Sequence, residues 1–169
     1  EEVEKAAQEI GYPLVLKPVD LASSAFVKLI QTSNDLQQAY RDLENFPLNF
    51  RDQERERAFL IEEYICGEEV SVETVSNNGE ITVVGITDKS VTGSPYFIEN
   101  GHMFPAKLDE DVKEEIGDYV RNVLLATGYD HGIAHTEIKL TKDGPKVVEI
   151  NPRTAGNYIV ELIEYVTLS

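Results

Sequence analysis

Glu137, Glu149 and Asn151 offer carboxylate and amide oxygens of the kind that hard divalent cations such as Mg2+ select, and they fall in a β-hairpin pattern late in the chain. Side chains alternate along a strand. Glu149 and Asn151 therefore share one face while Val148 and Ile150 share the other, and His135, Glu137 and Lys139 line one face of the preceding strand. Whether the two polar faces coincide is set by the turn. A two-residue Asp143-Gly144 loop puts Glu137 opposite Ile150 and sends the two glutamates to opposite sides of the sheet, whereas a three-residue Lys142-Asp143-Gly144 loop puts Glu137 opposite Glu149. A cation site requires an odd loop or a bulge. Arg153 follows two residues after Asn151, where a guanidinium beside a carboxylate-bound cation makes a clamp for a transferring phosphoryl group. The competing reading is a solvated strand face, with Arg153 in a surface ion pair.

Lys17 ends an apolar run just before Pro18, where a buried aliphatic stem can present its ammonium to a phosphate. The following loop, residues 20–25, carries Ser23 and Ser24 but no glycine and matches no phosphate-loop pattern. The segment Ile61-Glu62-Glu63-Tyr64-Ile65-Cys66-Gly67-Glu68-Glu69 is an apolar strand running into paired acids and a glycine. It can serve as a hinge, offering backbone groups to a purine edge and a later carboxylate to ribose hydroxyls, or as an edge strand with gatekeeper charges. Cys66 reads as a packed or incidental thiol, since no histidine can be assigned to it.

The elements that must position these residues follow from periodicity. Val3, Ala6, Ala7 and Ile10 form one helix face ending at Gly11. Residues 14–18 and 26–30 read as paired strands, and Ser33 caps a helix with Leu36, Ala39, Tyr40 and Leu43 turned inward. Residues 45–57 read as a charged, mobile loop. Residues 58–64 form a strand, and the alternation of Val70, Val72 and Thr74 leads through Asn77-Asn78-Gly79 into a return strand over 81–86. With Gly93, Pro95, Gly101 and Pro105 as breakers, residues 88–108 read as a long ordered loop. A helix capped by Asp109 runs through Val112, Ile116, Tyr119, Val120 and Val123 to Gly128, and a hairpin over 133–140 and 146–151 follows. The order predicts an α+β fold of two subdomains, 1–61 and 62–169, with a ligand at their seam.

Composition narrows the partners. The 169 residues hold 15 Lys and Arg against 31 Asp and Glu, a net charge of −16, which repels nucleic-acid phosphate and anionic membrane unless the basic residues gather at one site. A single cysteine and the lack of any run near the ~20 apolar residues of a spanning helix point to the cytoplasm.

Taken together, Pro13-Leu14-Val15-Leu16-Lys17-Pro18, the segment from Ile61 to Glu69, Glu137, and Val148-Glu149-Ile150-Asn151-Pro152-Arg153 resemble the ATP-grasp superfamily in order and approximate spacing. Thr87-Asp88-Lys89, Glu99-Asn100-Gly101-His102 and Pro105-Ala106 look most like its L-amino-acid (dipeptide) ligase branch. The resemblance implies an ATP-grasp fold with nucleotide between two α+β subdomains. It implies that Lys17 contacts the phosphates, that Glu62, Glu63, Tyr64 and Ile65 form the adenine hinge and that Glu69 binds ribose. Glu137, Glu149 and Asn151 would hold Mg2+, with Mn2+ as an alternative. Arg153 would stabilise an acyl phosphate, while His102 and the region of Gly156 lie along an amino-acid substrate and Lys89 reaches toward the reacting groups.

Such enzymes phosphorylate a carboxylate with ATP and let an amine displace the phosphate. ATP, an acid and an amine, both amino acids, are the implied partners, with a homo-oligomer open for the full-length protein. Other branches use bicarbonate. The family's phosphate-covering loop is glycine-rich where residues 20–25 are not, and its second phosphate-binding lysine and amino-terminal domain would precede residue 1. An ATP-binding core with little or no turnover by itself is therefore expected. A non-catalytic nucleotide-binding module is the reading from another class, and a plain acidic scaffold the third.

Overall fold

The computed structural model describes residues 2–169. Twelve elements follow in the order α1 (Glu2–Ile10), β1 (Leu14–Pro18), β2 (Lys28–Ile30), α2 (Ser33–Glu44), β3 (Phe59–Glu63), β4 (Glu68–Asn77), β5 (Glu80–Thr92), β6 (Ile98–Met103), α3 (Glu110–Ala126), β7 (Gly132–Thr141), β8 (Gly144–Asn151) and α4 (Ile159–Leu168). They make the predicted α+β fold, with one sheet in the order β2-β1-β3 and another in the order β6-β5-β4-β7-β8. Two compact units result, residues 2–64 with 91–99 and residues 65–90 with 100–169. Among the described residues no helix is long and apolar enough to cross a membrane.

In the first unit, β1 pairs antiparallel with both β2 and β3, setting Leu14 opposite Ile30 and Leu16 opposite Ile61. Leu14, Leu16 and Ile30 pack with Ala7 of α1 and Leu36, Ala39 and Leu43 of α2 into one core. Tyr40, expected on that inward stripe, is exposed. Thr32 rather than Ser33 caps α2. Its hydroxyl accepts from the Asp35 amide and the Asp35 carboxylate accepts from the Thr32 amide, a reciprocal box that needs an acceptor three residues after the cap.

Residues 45–57, expected to be mobile, are fastened. Leu48 bridges to Glu54, and the Arg55 guanidinium and the Glu56 amide donate to the carboxylate of Asp20. The strand expected over 26–30 shortens to β2 because Ser23, Ser24 and Phe26 take φ of 55°, 56° and 58°, the left-handed region that glycine occupies without strain. Ser24 is exposed, and its hydroxyl makes no hydrogen bond among the described residues. Ser24→Gly is therefore expected to stabilise the first unit by about 0.5–1 kcal/mol, the relief of strain outweighing the added freedom of the unfolded chain. Urea denaturation would register it, and a loss of stability would contradict it.

In the second unit, α3 packs on one face of the five-stranded sheet. Val70, Val72, Ile86, Ala134 and Ile138 meet Ile116, Val120 and Leu124 there. The turn Asn78-Gly79 closes the β4–β5 hairpin with φ of 51° and 80°, both positive, as a tight two-residue hairpin requires. The long loop expected over 88–108 is instead a strand pair. β5 continues to Thr92 and β6 begins at Ile98, so Gly93 and Pro95 mark only the turn, while Pro105 lies beyond β6. Gly101 sits within β6 at the sheet edge. Helix α4 was not expected from the sequence; it buries Ile159 and Ile163, four residues apart, in the apolar run after Tyr158.

The β7–β8 hairpin decides the position of the acidic residues. Thr141 pairs with Gly144 across a Lys142-Asp143 turn, which differs from both expected loops, and Ile138 pairs with Val147. Continued unchanged, that register would set Glu149 opposite Thr136, on the core side. A shift between Glu137 and Ile138 adds one residue, Val148, to β8 and brings Glu149 opposite Glu137 and Asn151 opposite His135. The bulge also corrects the expected apolar face. Val147 and Ile150, not Val148 and Ile150, pack against the core.

Candidate functional site

The sheet of the second unit is amphipathic in an unusual sense, for its face away from α3 carries a grid of charge. Directly paired residues share a face, so three cross-strand rows can be read from the register: Lys89–Glu69–Lys139–Lys146, Thr87–Ser71–Glu137–Glu149 and Gly85–Glu73–His135–Asn151. Phe104 lies against Gly85, where a Cβ would collide with its ring.

Charge is paired tightly within the grid. The Lys89 ammonium, 1% exposed as a side chain, lies 2.7 Å from Glu137 Oε1 and 2.9 Å from Glu69 Oε1. Lys139 holds the other oxygen of Glu69 at 3.0 Å and donates to the Gly67 carbonyl. His135 Nδ1 is 2.6 Å from Glu73 Oε1, and its Nε2 is 3.4 Å from Glu137 Oε1. Burial alone would raise the Glu137 pKa, but the hydrogen bond with His135 and the charge and hydrogen bond of Lys89 outweigh it and hold the group at about 2. Burial likewise disfavours a charged His135, yet hydrogen bonds with Glu137 and Glu73 and their charges raise it to about 9. At neutral pH the row thus contains an ionised carboxylate facing the exposed Glu149, with the half-buried Asn151 two residues on. An anionic all-oxygen donor set of this kind suits a hard divalent cation.

Arg153 is exposed, its amide donating to the Asn151 carbonyl and its guanidinium to the Thr154 carbonyl. Ser71 and Thr87 are fully buried, with hydroxyls that find no hydrogen-bond partner among the described residues. His102 is half-buried on β6. Cys66 is an exposed free thiol.

The remaining expected residues lie mostly in the first unit. Lys17 and Glu62, read separately as phosphate and hinge residues, form an ion pair at 2.5 Å across β1 and β3. Glu63 is exposed, while Tyr64 donates its amide to the Pro13 carbonyl and stacks obliquely on Phe97. The division between units falls between Tyr64 and Ile65, inside the expected hinge. A concavity of about 330 Å3 beside Phe26, Leu43 and Tyr96 involves none of the expected residues, and its Lys28 already pairs with Asp42.

Sequence reasoning placed His135 on the face of Glu137 and quoted Thr87 beside Lys89, both without a role, and it missed Glu73 and Ser71. The alternation of Glu69, Ser71 and Glu73 with Val70 and Val72 was the available signal.

The ATP-grasp domain family matches residues 10–161 of this chain. Alanine–anticapsin ligase of Bacillus amyloliquefaciens is 32% identical over 172 residues, which cover 92% of this chain and 36% of that ligase. The crystal structure of an L-amino acid ligase from Bacillus licheniformis matches at a TM-score of 0.73 and 29% identity, over 91% of this chain and 35% of that one. The biotin carboxylase domain of Hydrogenobacter thermophilus 2-oxoglutarate carboxylase, solved with MgADP and bicarbonate, shares the fold at a TM-score of 0.75 and 20% identity, over 99% of this chain and 36% of that one. The chain spans about a third of the length of the alanine–anticapsin ligases it matches.

Proposed function

The chain belongs to the ATP-grasp family, and on that premise we propose that it is the Mg-ATP-binding core of a carboxylate–amine ligase that joins two amino acids through an acyl phosphate. The register that sets Glu137 opposite Glu149 and His135 opposite Asn151 is the observation that carries the reading. Glu137, Glu149 and Asn151 would hold Mg2+, which when bound supplies neutralising charge on the nucleotide phosphates. The residues of this chain then have separable tasks. Lys17 binds phosphate with its ammonium, which the Glu62 carboxylate steadies. Glu62, Glu63, Tyr64 and Ile65 present the adenine hinge, and Glu69, held by Lys89 and Lys139, accepts from ribose hydroxyls. Arg153 donates to the acyl phosphate and to the tetrahedral species that the attacking amine forms, an electrostatic role suited to an exposed guanidinium. His102 orients the amino-acid substrate, and Lys89 adds positive charge beside Glu137.

The identity of 29–32% to amino-acid ligases supports amino acids as the acid and the amine. Mg-ATP, but not Mg-GTP, should raise the melting temperature of this chain by several degrees, and the full-length enzyme should release phosphate only with particular amino-acid pairs. No shift with millimolar Mg-ATP would overturn nucleotide binding. The left-handed serines of the glycine-free loop favour a second reading, a nucleotide-binding module without turnover. Binding of ATP by the full-length protein with no phosphate release on any carboxylate would select it.

A further inference from the structure

Two buried ionisable side chains have no task in the reaction as set out above. Glu73 and His135 are 5% and 4% exposed and lie directly opposite each other on β4 and β7. Burying such a pair is costly unless its geometry is fully used. Here it is: Glu73 Oε1 accepts from Nδ1 at 2.6 Å, which fixes the imidazole plane, and the same ring directs Nε2 at Glu137 Oε1, two residues along the same strand face.

We propose that Glu73 and His135 form a positioning relay that orients the Glu137 carboxylate toward Glu149 and thereby sets the affinity of the site for a divalent cation. The inference rests on the assignment of Glu137 as a cation ligand. Lys89 and His135 both approach Oε1, which leaves Oε2 without a donor among the described residues. Lys89 alone cannot define the carboxylate plane, because an ammonium is a rotating point charge on a flexible stem, whereas the imidazole is rigid and is itself held from behind. Among the described residues Glu73 makes no hydrogen bond or ion pair with Glu137 or Glu149, so its control over the orientation of the Glu137 carboxylate passes through His135.

Mn2+ binding to the full chain with saturating ADP, read from the electron-paramagnetic signal of free Mn2+, tests the relay. His135→Ala and Glu73→Met should each weaken Mn2+ binding about 10–100-fold, the usual reach of groups that orient a metal ligand. The double variant should be no worse than the weaker-binding single. His135→Gln, whose side-chain amide can donate near the position of Nε2, should recover most of the loss, and ADP affinity without metal should stay unchanged in all four. Wild-type Mn2+ affinity in either single variant, or additive losses in the double, would overturn the relay. Should His135→Ala fail to fold in chelator, the volume-matched Glu73→Met carries the decision. Glu137→Gln separates the two levels. If it loses Mn2+ while His135→Ala keeps it, only the relay fails, and if Glu137→Gln binds Mn2+ normally, the cation site itself is wrong.

Discussion

Lys89→Met is expected to destabilise the second unit by about 3 kcal/mol in the presence of chelator, and divalent cation is expected to return much of that loss. Methionine nearly matches the length and volume of the lysine stem, so packing is preserved and the missing charge is isolated. Among the described residues, what remains is Glu137 with His135 and Glu69 with Lys139, two carboxylates close together in a sparsely hydrated grid. Their mutual repulsion then acts against folding, which places the loss at the low end of the range for breaking a buried ion pair because each acid keeps one partner. A divalent cation that uses Glu137 supplies the missing positive charge and binds only the folded chain. Mg2+ or Mn2+ should therefore raise the urea midpoint more in Lys89→Met than in the unchanged protein.

The pH dependence has a definite sign. The Glu137 pKa is depressed from 4.5 to about 2 in the folded chain, so its contribution to stability is complete above about pH 4.5 and is lost as the pH falls toward 2. Without Lys89 the depression shrinks, and the acid-induced loss attributable to Glu137 becomes smaller. Equal cation responses in the two proteins would mean that the cation does not use Glu137.

Most of the architecture was legible because it is written in periodicities. The strand alternation of Val70 and Val72, the helical spacing of Ile116 and Val120 and the Asn78-Gly79 turn each specify an element through local backbone and burial rules. The pairing of Glu137 with Glu149 was legible only as a conditional statement. A bulge is a property of two strands and of what lies beneath them. The two-residue turn, the need of Val147 and Ile150 for the core and the pairing of Glu149 with Glu137 are jointly met only by an extra residue at Val148. The breakers between 88 and 108 misled for a related reason. Glycine and proline break a strand in isolation, yet Gly101 is accommodated at an edge, where one side of the ladder is empty. Contacts distant in sequence, such as Glu73 with His135 and Asp20 with Arg55, leave no periodic trace at all.

The Asp20–Arg55 pair carries the second large expectation. Asp20→Ala should cost the first unit about 3 kcal/mol or more, measured as a loss of its unfolding free energy in urea. Asp20 accepts from Nε and Nη2 of Arg55 through one oxygen and from the Glu56 amide through the other, at 3.3, 3.2 and 2.8 Å. Their side chains are only 12% and 6% exposed, so removing the acid leaves a guanidinium without an acceptor where water cannot easily replace it, while the Glu56 amide, at an exposed position, turns to water. Asp20→Asn keeps the acceptor oxygens in part and removes only the charge, and should lose roughly half as much. The double variant Asp20→Ala with Arg55→Met should be more stable than Asp20→Ala alone, because an unpaired buried cation is worse than an apolar side chain of similar reach. Additive losses would show that the two residues act independently. Since Asp20 is also where the glycine-free loop begins, the same series tests whether residues 20–25 depend on this anchor. Mg-ATP should stabilise Asp20→Ala less than the unchanged chain if the loop contacts phosphate, and equally if it does not.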